Sequence, residues 1–171
     1  VLSSRTGITV GPDALVAPGA TSPVLTNAAG NGIDLASGTS VSGIDVSGAS
    51  GDGVNGAGVS TTPVGVGAPM TISGPGEDGF DPSGAGSGAV TIGASIRTSG
   101  ARSLVVSGRT GSTVTVSGAI TGKGVALSSN TGATISLSGA LALTTTTTPA
   151  FPATGGGTVS TSGSPNAASA T

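Results

Sequence analysis

Cysteine, histidine, tryptophan and tyrosine are missing from these 171 residues, and phenylalanine occurs only at Phe80 and Phe151. Without cysteine there is no disulfide, no thiolate nucleophile and no usual zinc ligand. Without histidine the commonest general base and metal ligand is gone as well. Ser-His-Asp and Cys-His catalysis are therefore excluded within this chain. The lack of rings also bears on the core, because aromatic side chains bury roughly 150–250 Å² each; a fold built here must have a thin interior of small aliphatic residues. Charge is scarce too, at 7% of residues with a net −2. No run of about eighteen apolar residues is present to span a bilayer as a helix. The opening Val1-Leu2-Ser3-Ser4-Arg5 shows neither a start methionine nor a signal-peptide pattern. The chain is accordingly expected to be a piece of something longer, not transmembrane in this segment.

What is abundant is glycine, with 33 residues, alongside 10 prolines. Together they approach the level at which low-complexity disorder is the first suspicion. Disorder, however, goes with low hydropathy and high net charge. Here mean hydropathy is +0.35, and Val, Ile and Leu recur in short alternating runs, so a folded chain is expected.

Those runs are periodic. Ile33, Val54, Phe80, Leu104, Val125 and Phe151 align as one apolar column, with steps of 21, 26, 24, 21 and 26 residues. A second column carries Val90-Thr91-Ile92, Val114-Thr115-Val116, Ile135-Ser136-Leu137 and Val159-Ser160-Thr161, with weaker members at Val41-Ser42-Gly43 and Thr71-Ile72-Ser73. A third holds Val46, Ile96, Ile120 and Leu141. Each repeat thus offers about three short strands of period-two alternation separated by Gly, Ser, Asn or Pro, and no window has helical spacing. Three strands per turn of 21 to 26 residues predict an all-β, right-handed parallel β-helix of about 6 to 7 turns, each strand pairing with its equivalents one turn above and below. Val90, Val114, Ile135 and Val159 would stack as one internal ladder, and Ile92, Val116 and Leu137 as its neighbour. Gly108, Gly111, Gly118, Gly122, Gly124 and Gly132 fall at the joints, where tight corners favour positive φ. With strands about 4.8 Å apart, the turns would make a rod on the order of 30 Å long.

Residues 1–31 fit the register poorly and are expected as an irregular first turn. Residues 32–163 form the regular solenoid, and residues 164–171 lose the alternation and are expected as a loop or frayed end. The stretch Gly58 to Pro69 is too rich in Pro and Gly for a uniform central strand and is expected as a bulged corner. Neither end shows a charged or amphipathic cap, and an uncovered turn presents unpaired backbone groups.

The residues Thr134-Ile135-Ser136-Leu137-Ser138-Gly139-Ala140-Leu141-Ala142-Leu143-Thr144, followed by Pro149-Ala150-Phe151-Pro152-Ala153-Thr154-Gly155-Gly156-Gly157-Thr158-Val159-Ser160, give the chain a style that resembles the passenger region of bacterial autotransporters, the type V secreted surface proteins. The likeness extends less sharply over residues 32–163 and is one of style and period, not of a fixed motif. It implies a noncatalytic extracellular module at the bacterial cell surface, a structural stalk or adhesin mediating attachment or self-association. Its partners would be a host or bacterial surface glycan or protein, or itself. The alternatives are a subunit of an extracellular filament or surface layer, and a polysaccharide-cleaving β-helix enzyme.

No catalytic, cofactor-binding or metal-binding residue is assigned, and no cofactor is expected. The best acidic cluster is Glu77, Asp78 and Asp81, read as a solvated turn between coils; its sharper alternative is a weak calcium site, since hard oxygen ligands in a Gly-rich turn suit that ion. A groove gathering these acids with Arg97 would favour polysaccharide cleavage, whereas a flat wall would favour adhesion. Thr144 to Thr148 lack the repetition on successive turns that an ice-ordering array needs. Exposed Ser and Thr are acceptable O-glycosylation sites, though nothing selects one. Charge is segregated: residues 1–81 carry a net −6 and residues 82–171 a net +4. In a solenoid this makes a rod polar along its axis, a pattern that would assist side-by-side or end-to-end association at low salt. Few dispersed bases and no stacking aromatics make a poor phosphate track, so nucleic acid is not expected as a partner.

Overall fold

The structure is a computed structural model that describes residues 8–10, 13–16, 22–26, 29–59, 64–66, 70–164 and 166–170. Nearly all of its strands are parallel and fall into three walls, forming a β-solenoid of about six turns. No helix occurs among the described residues. The first wall stacks Ile33–Asp34, Val54–Asn55, Phe80–Asp81, Leu104–Ser107, Val125–Ser128 and Ala153–Thr154. The second stacks Ser40–Val41, Val64–Val66, Val90–Ile92, Thr113–Val116, Thr134–Leu137 and Thr158–Thr161. The third stacks Val24–Leu25, Asp45–Ser47, Thr71–Ser73, Ser95–Thr98, Ile120–Gly122, Leu141–Thr145 and Asn166–Ala170. Apart from these, Ile8–Val10 and Asp13–Val16 form a small antiparallel pair within the stretch expected to be irregular.

Register follows the apolar columns. Ile33 pairs with Val54, Val54 with Phe80, Phe80 with Leu104 and Leu104 with Val125. The second-wall ladders are equally direct: Val90, Val114, Ile135 and Val159 are successive partners, as are Ile92, Val116 and Leu137. Except for the half-buried Val159, all of them are sealed in one continuous core. Period-two alternation explains why, since a one-residue slip would turn every one of these side chains to water. Each buried aliphatic contributes about 1.5–3 kcal/mol. Many small contributions replace the few large ones that aromatic rings would supply.

Four expectations need correction. Ile72 does not belong to the second wall; it pairs with Val46 and Ile96 in the third. The second-wall member of that turn is Val64–Val66, inside the stretch expected as a bulged corner, and its Val64 and Val66 partner Val90 and Ile92. The rest of that expectation, at residues 60–63 and 67–69, lies outside the described residues. Residues 164–171, expected as loop or frayed end, contain the strand Asn166–Ala170, which pairs along its whole length with Leu141–Thr145. Its sequence has no alternation to announce it, but the coil beneath offers a row of free backbone groups, and Asn166 Oδ1 accepts the Leu141 N–H at 3.0 Å. Lastly, Gly108, Gly111, Gly122, Gly124 and Gly132 do have positive φ, but Gly118 does not and is needed for a different reason, the close approach of neighbouring coils.

Candidate functional site

Four acids of the first half, Asp34, Asp52, Asp78 and Asp81, lie where each coil enters the first wall, in two adjacent columns shared with Asn31 and Asn55. The inner column is Asn31, Asp52 and Asp78. Asn31 Oδ1 accepts the Asp52 N–H at 2.9 Å, and Asp52 Oδ1 accepts the Asp78 N–H at 3.1 Å, so each side chain ties its coil to the next. The outer column is Asp34, Asn55 and Asp81, in register along the wall. Asp34 Oδ1 accepts from Asn31 Nδ2 at 2.8 Å and from Asn55 Nδ2 at 3.0 Å. These bonds hold the Asp34 carboxyl below the ordinary range.

The inner pair is shifted the other way. Burial pushes the Asp52 carboxyl up despite the bond it accepts from the Asp78 backbone. Burial, then the charge of Asp52, pushes Asp78 up to about 6 from an ordinary 3.8. The folded state therefore holds this proton more tightly than the unfolded chain does. Stability on this account is greatest at or below pH 4, falls as pH rises through the window from 3.8 to about 6, and is flat above it. The depressed Asp34 acts oppositely, its contribution being lost only as pH falls below the usual carboxylate range. The expected result is a Tm about 2–4 °C higher at pH 5 than at pH 7.5, or about 1 kcal/mol once solvent screening of a half-exposed carboxyl is allowed for. Asp78→Asn should remove most of that slope in thermal melts followed by circular dichroism. An unchanged slope in the variant would refute the assignment.

Glu77, Asp78 and Asp81 do not make the calcium cluster weighed above. Among the described residues no group of three or more acidic side chains is placed to hold a metal ion. Asp81 is instead engaged with its own turn, accepting the Ser83 N–H at 2.9 Å.

Arg97 sits elsewhere, on the outer face of the third wall. It lines an open groove of about 750 Å³ together with Ser73, Ser99, Thr121, Thr144 and the backbone of Gly74 and Gly122. None of Glu77, Asp78 and Asp81 reaches this groove, so the gathering of acids and Arg97 that would mark a cleavage site does not occur. A separate face, the second wall, carries rows of stacked hydroxyls. On the second wall Thr113, Thr134 and Thr158 are successive partners and all exposed, and beside them run Thr91, Thr115, Ser136 and Ser160.

Sequence order is spatial order along each wall, so the charge segregation is axial. Arg109, however, is not a surface charge: it is the largest fully buried side chain among the described residues. Its Nη1 donates to the Val59 carbonyl at 2.7 Å, its Nη2 to the Gly88 carbonyl and its Nε to Ser112 Oγ at 3.3 Å. Nothing in the local pattern Ser107-Gly108-Arg109-Thr110-Gly111 distinguishes it from a solvated corner arginine. The two carbonyl partners come from other coils, and only the fold brings them together.

The last coil leaves a second, apolar depression of about 410 Å³, floored by Leu141, Leu143 and Phe151 and edged by Asn166, Ala167 and Ala168. Among the described residues no helix is long and apolar enough to cross a membrane. No protein-family model, no curated protein and no solved structure matches the chain.

Proposed function

We propose that the chain is a noncatalytic extracellular surface module, a stalk or adhesin of the autotransporter-passenger type, which attaches a bacterial cell to surface glycans or proteins or to another copy of itself. The observation that carries this reading is the register of the outer walls: hydroxyls of Thr113, Thr134 and Thr158, and of Thr91, Thr115, Ser136 and Ser160, repeat coil after coil on a parallel scaffold. Stacked repeats of this kind give an extended surface on which many weak polar contacts act together. The separation of the acids from the Arg97 groove supports the adhesive reading over the cleaving one.

The test uses beads coated with the chain. They are expected to be retained on bacterial or host-cell surfaces, or to clump with one another, where beads carrying an unrelated protein do neither. Loss of both behaviours sinks the reading. End-to-end rods in negative-stain images would replace it with the filament subunit, for which the open apolar depression at Leu141, Leu143 and Phe151 is the supporting feature. New reducing ends released from a polysaccharide would overturn the noncatalytic part.

A further inference from the structure

The outward row of the third wall runs Ser47, Ser73, Arg97, Thr121, Ala142 and Ala167, each in register with the next. Arg97 is the one long side chain in that row. It stands between two hydroxyl residues, Ser73 and Thr121, on the coils to either side, at the strand spacing of about 4.8 Å. Its strand, Ser95–Thr98, is hydrogen-bonded on both edges, so the base of the side chain is fixed. Its guanidinium is exposed, and among the described residues no hydrogen bond or ion pair engages it. The other arginines of the solenoid are committed: Arg109 to buried carbonyls, and Arg102 to the Pro149 carbonyl at 2.7 Å.

The groove around Arg97 has the volume of an ordinary ligand site. Among the described residues no carboxylate lines it, and Lys123 follows directly on its lining residue Gly122. Gly74 and Gly122 contribute only backbone, which leaves the floor open to a flat ligand.

We propose that this groove binds a glycan bearing carboxylate groups, lying along the rod with one carboxylate on Arg97 and its hydroxyls on Ser73, Thr121 and Thr144; the proposal rests on the adhesive reading above and names its ligand class. The guanidinium presents a planar fork of donors that matches a carboxylate bidentately. Ser73 Oγ and Thr121 Oγ1 donate to the Val46 and Ile96 carbonyls at 3.3 Å, so toward a sugar hydroxyl these two serve as acceptors. The coil spacing is close to the rise per residue of an extended polysaccharide, so successive sugars meet successive coils. A neutral glycan would leave the cation without a partner, and a nucleic acid would find no aromatic platform.

The experiment is titration of the chain with an oligouronate tetramer, followed by amide chemical shifts, beside a neutral glucose tetramer as control. The oligouronate is expected to shift the amides of Ser73, Arg97 and Thr121 with millimolar or tighter affinity that weakens at high salt, and the neutral tetramer to leave them unmoved. Arg97→Gln, an exposed substitution whose folding is checked by circular dichroism, should weaken binding by about tenfold or more. Failure of the oligouronate to bind, equal binding of the neutral tetramer, or indifference to Arg97→Gln each overturns the proposal. Coated beads that still adhere while ignoring oligouronate would remove this groove alone; beads that do neither would remove the adhesive reading with it.

Discussion

Arg109→Ala is expected to lower the urea midpoint of the solenoid by the equivalent of about 3–5 kcal/mol, the combined effect of a cavity and of buried acceptors left without donors. The side chain is completely inaccessible, and it reaches from its own coil to the Gly88 carbonyl of the preceding one and the Val59 carbonyl of the one before that. Its backbone is held as well, the Arg109 N–H donating to Asn130 Oδ1 at 3.1 Å while Asn130 Nδ2 donates to the Val106 carbonyl at 2.9 Å. Four consecutive coils are thus joined at one corner. Among the described residues no carboxylate compensates the charge, and burial pushes the guanidinium pKa down. That desolvation opposes the gain, because a buried ion is costly and an apolar replacement of similar volume often recovers much of the loss. Arg109→Met, which fills the space without the donors, should therefore fall between wild type and alanine. Arg109→Lys should resemble the methionine variant, since a compact ammonium cannot serve divergent carbonyls as a planar fork does. A midpoint for Arg109→Ala within about 0.5 kcal/mol of wild type would show that the corner does not depend on this side chain.

The wall architecture was legible because side-chain alternation and the step between coils are both written in the apolar residues. Ile33, Val54, Phe80, Leu104 and Val125 form the first column without any shift of register. Legibility ends where alternation stops carrying information. Val64-Gly65-Val66 alternates but is flanked by Pro63, Gly67 and Pro69, which hide it as a strand. The neighbouring Thr71-Ile72-Ser73 then takes its place in the second column of the sequence, although it lies in the third wall. Asn166 to Ala170 has almost no apolar pattern, and its strand owes its existence to the backbone of the coil below.

The candidate site was less legible, for a related reason. Proximity in a solenoid runs between residues 21 to 26 apart, so a cluster adjacent in sequence is not a cluster in space. Glu77, Asp78 and Asp81 stand out as near neighbours, yet burial does most to raise Asp78, and Asp52, one coil away, and the Arg102 backbone, one coil in the other direction, act on it more strongly than Asp81 and Glu77 do. Likewise Arg97 gains its meaning from Ser73 and Thr121. The column steps apply to polar residues as well as apolar ones, and the series Asn31, Asp52, Asp78 follows them with steps of 21 and 26. Arg109 cannot be found that way, because its side chain runs along the axis and not outward from its own register position.

The corner between the second and third walls should be the least forgiving place for added bulk, and Gly139→Ala is expected to cost about 3 kcal/mol there, at the upper end for overpacking. A Cβ on Gly139 would run into the carbonyl of Gly118, one on Gly118 into the carbonyl of Ala94, and one on Gly163 into the carbonyl of Gly139. The atoms met are all backbone, so no side-chain rotamer change relieves them. The close approach has a visible cause: the Val116 carbonyl accepts from both Ser138 N–H at 2.8 Å and Gly139 N–H at 3.3 Å, and the Ile92 carbonyl is shared in the same way by Ser117 and Gly118. Two donors on one acceptor draw each coil down onto the one beneath. Gly111 provides the comparison, since it has φ +67 but no atom within 4 Å of the point a Cβ would occupy. Gly111→Ala should cost only the left-handed penalty of about 1–2 kcal/mol. Urea melts of the two variants test the distinction, and amide exchange should show the Gly139→Ala opening confined to this corner. If Gly111→Ala proved the more damaging of the two, backbone handedness and not coil-to-coil approach would govern the corners of this solenoid.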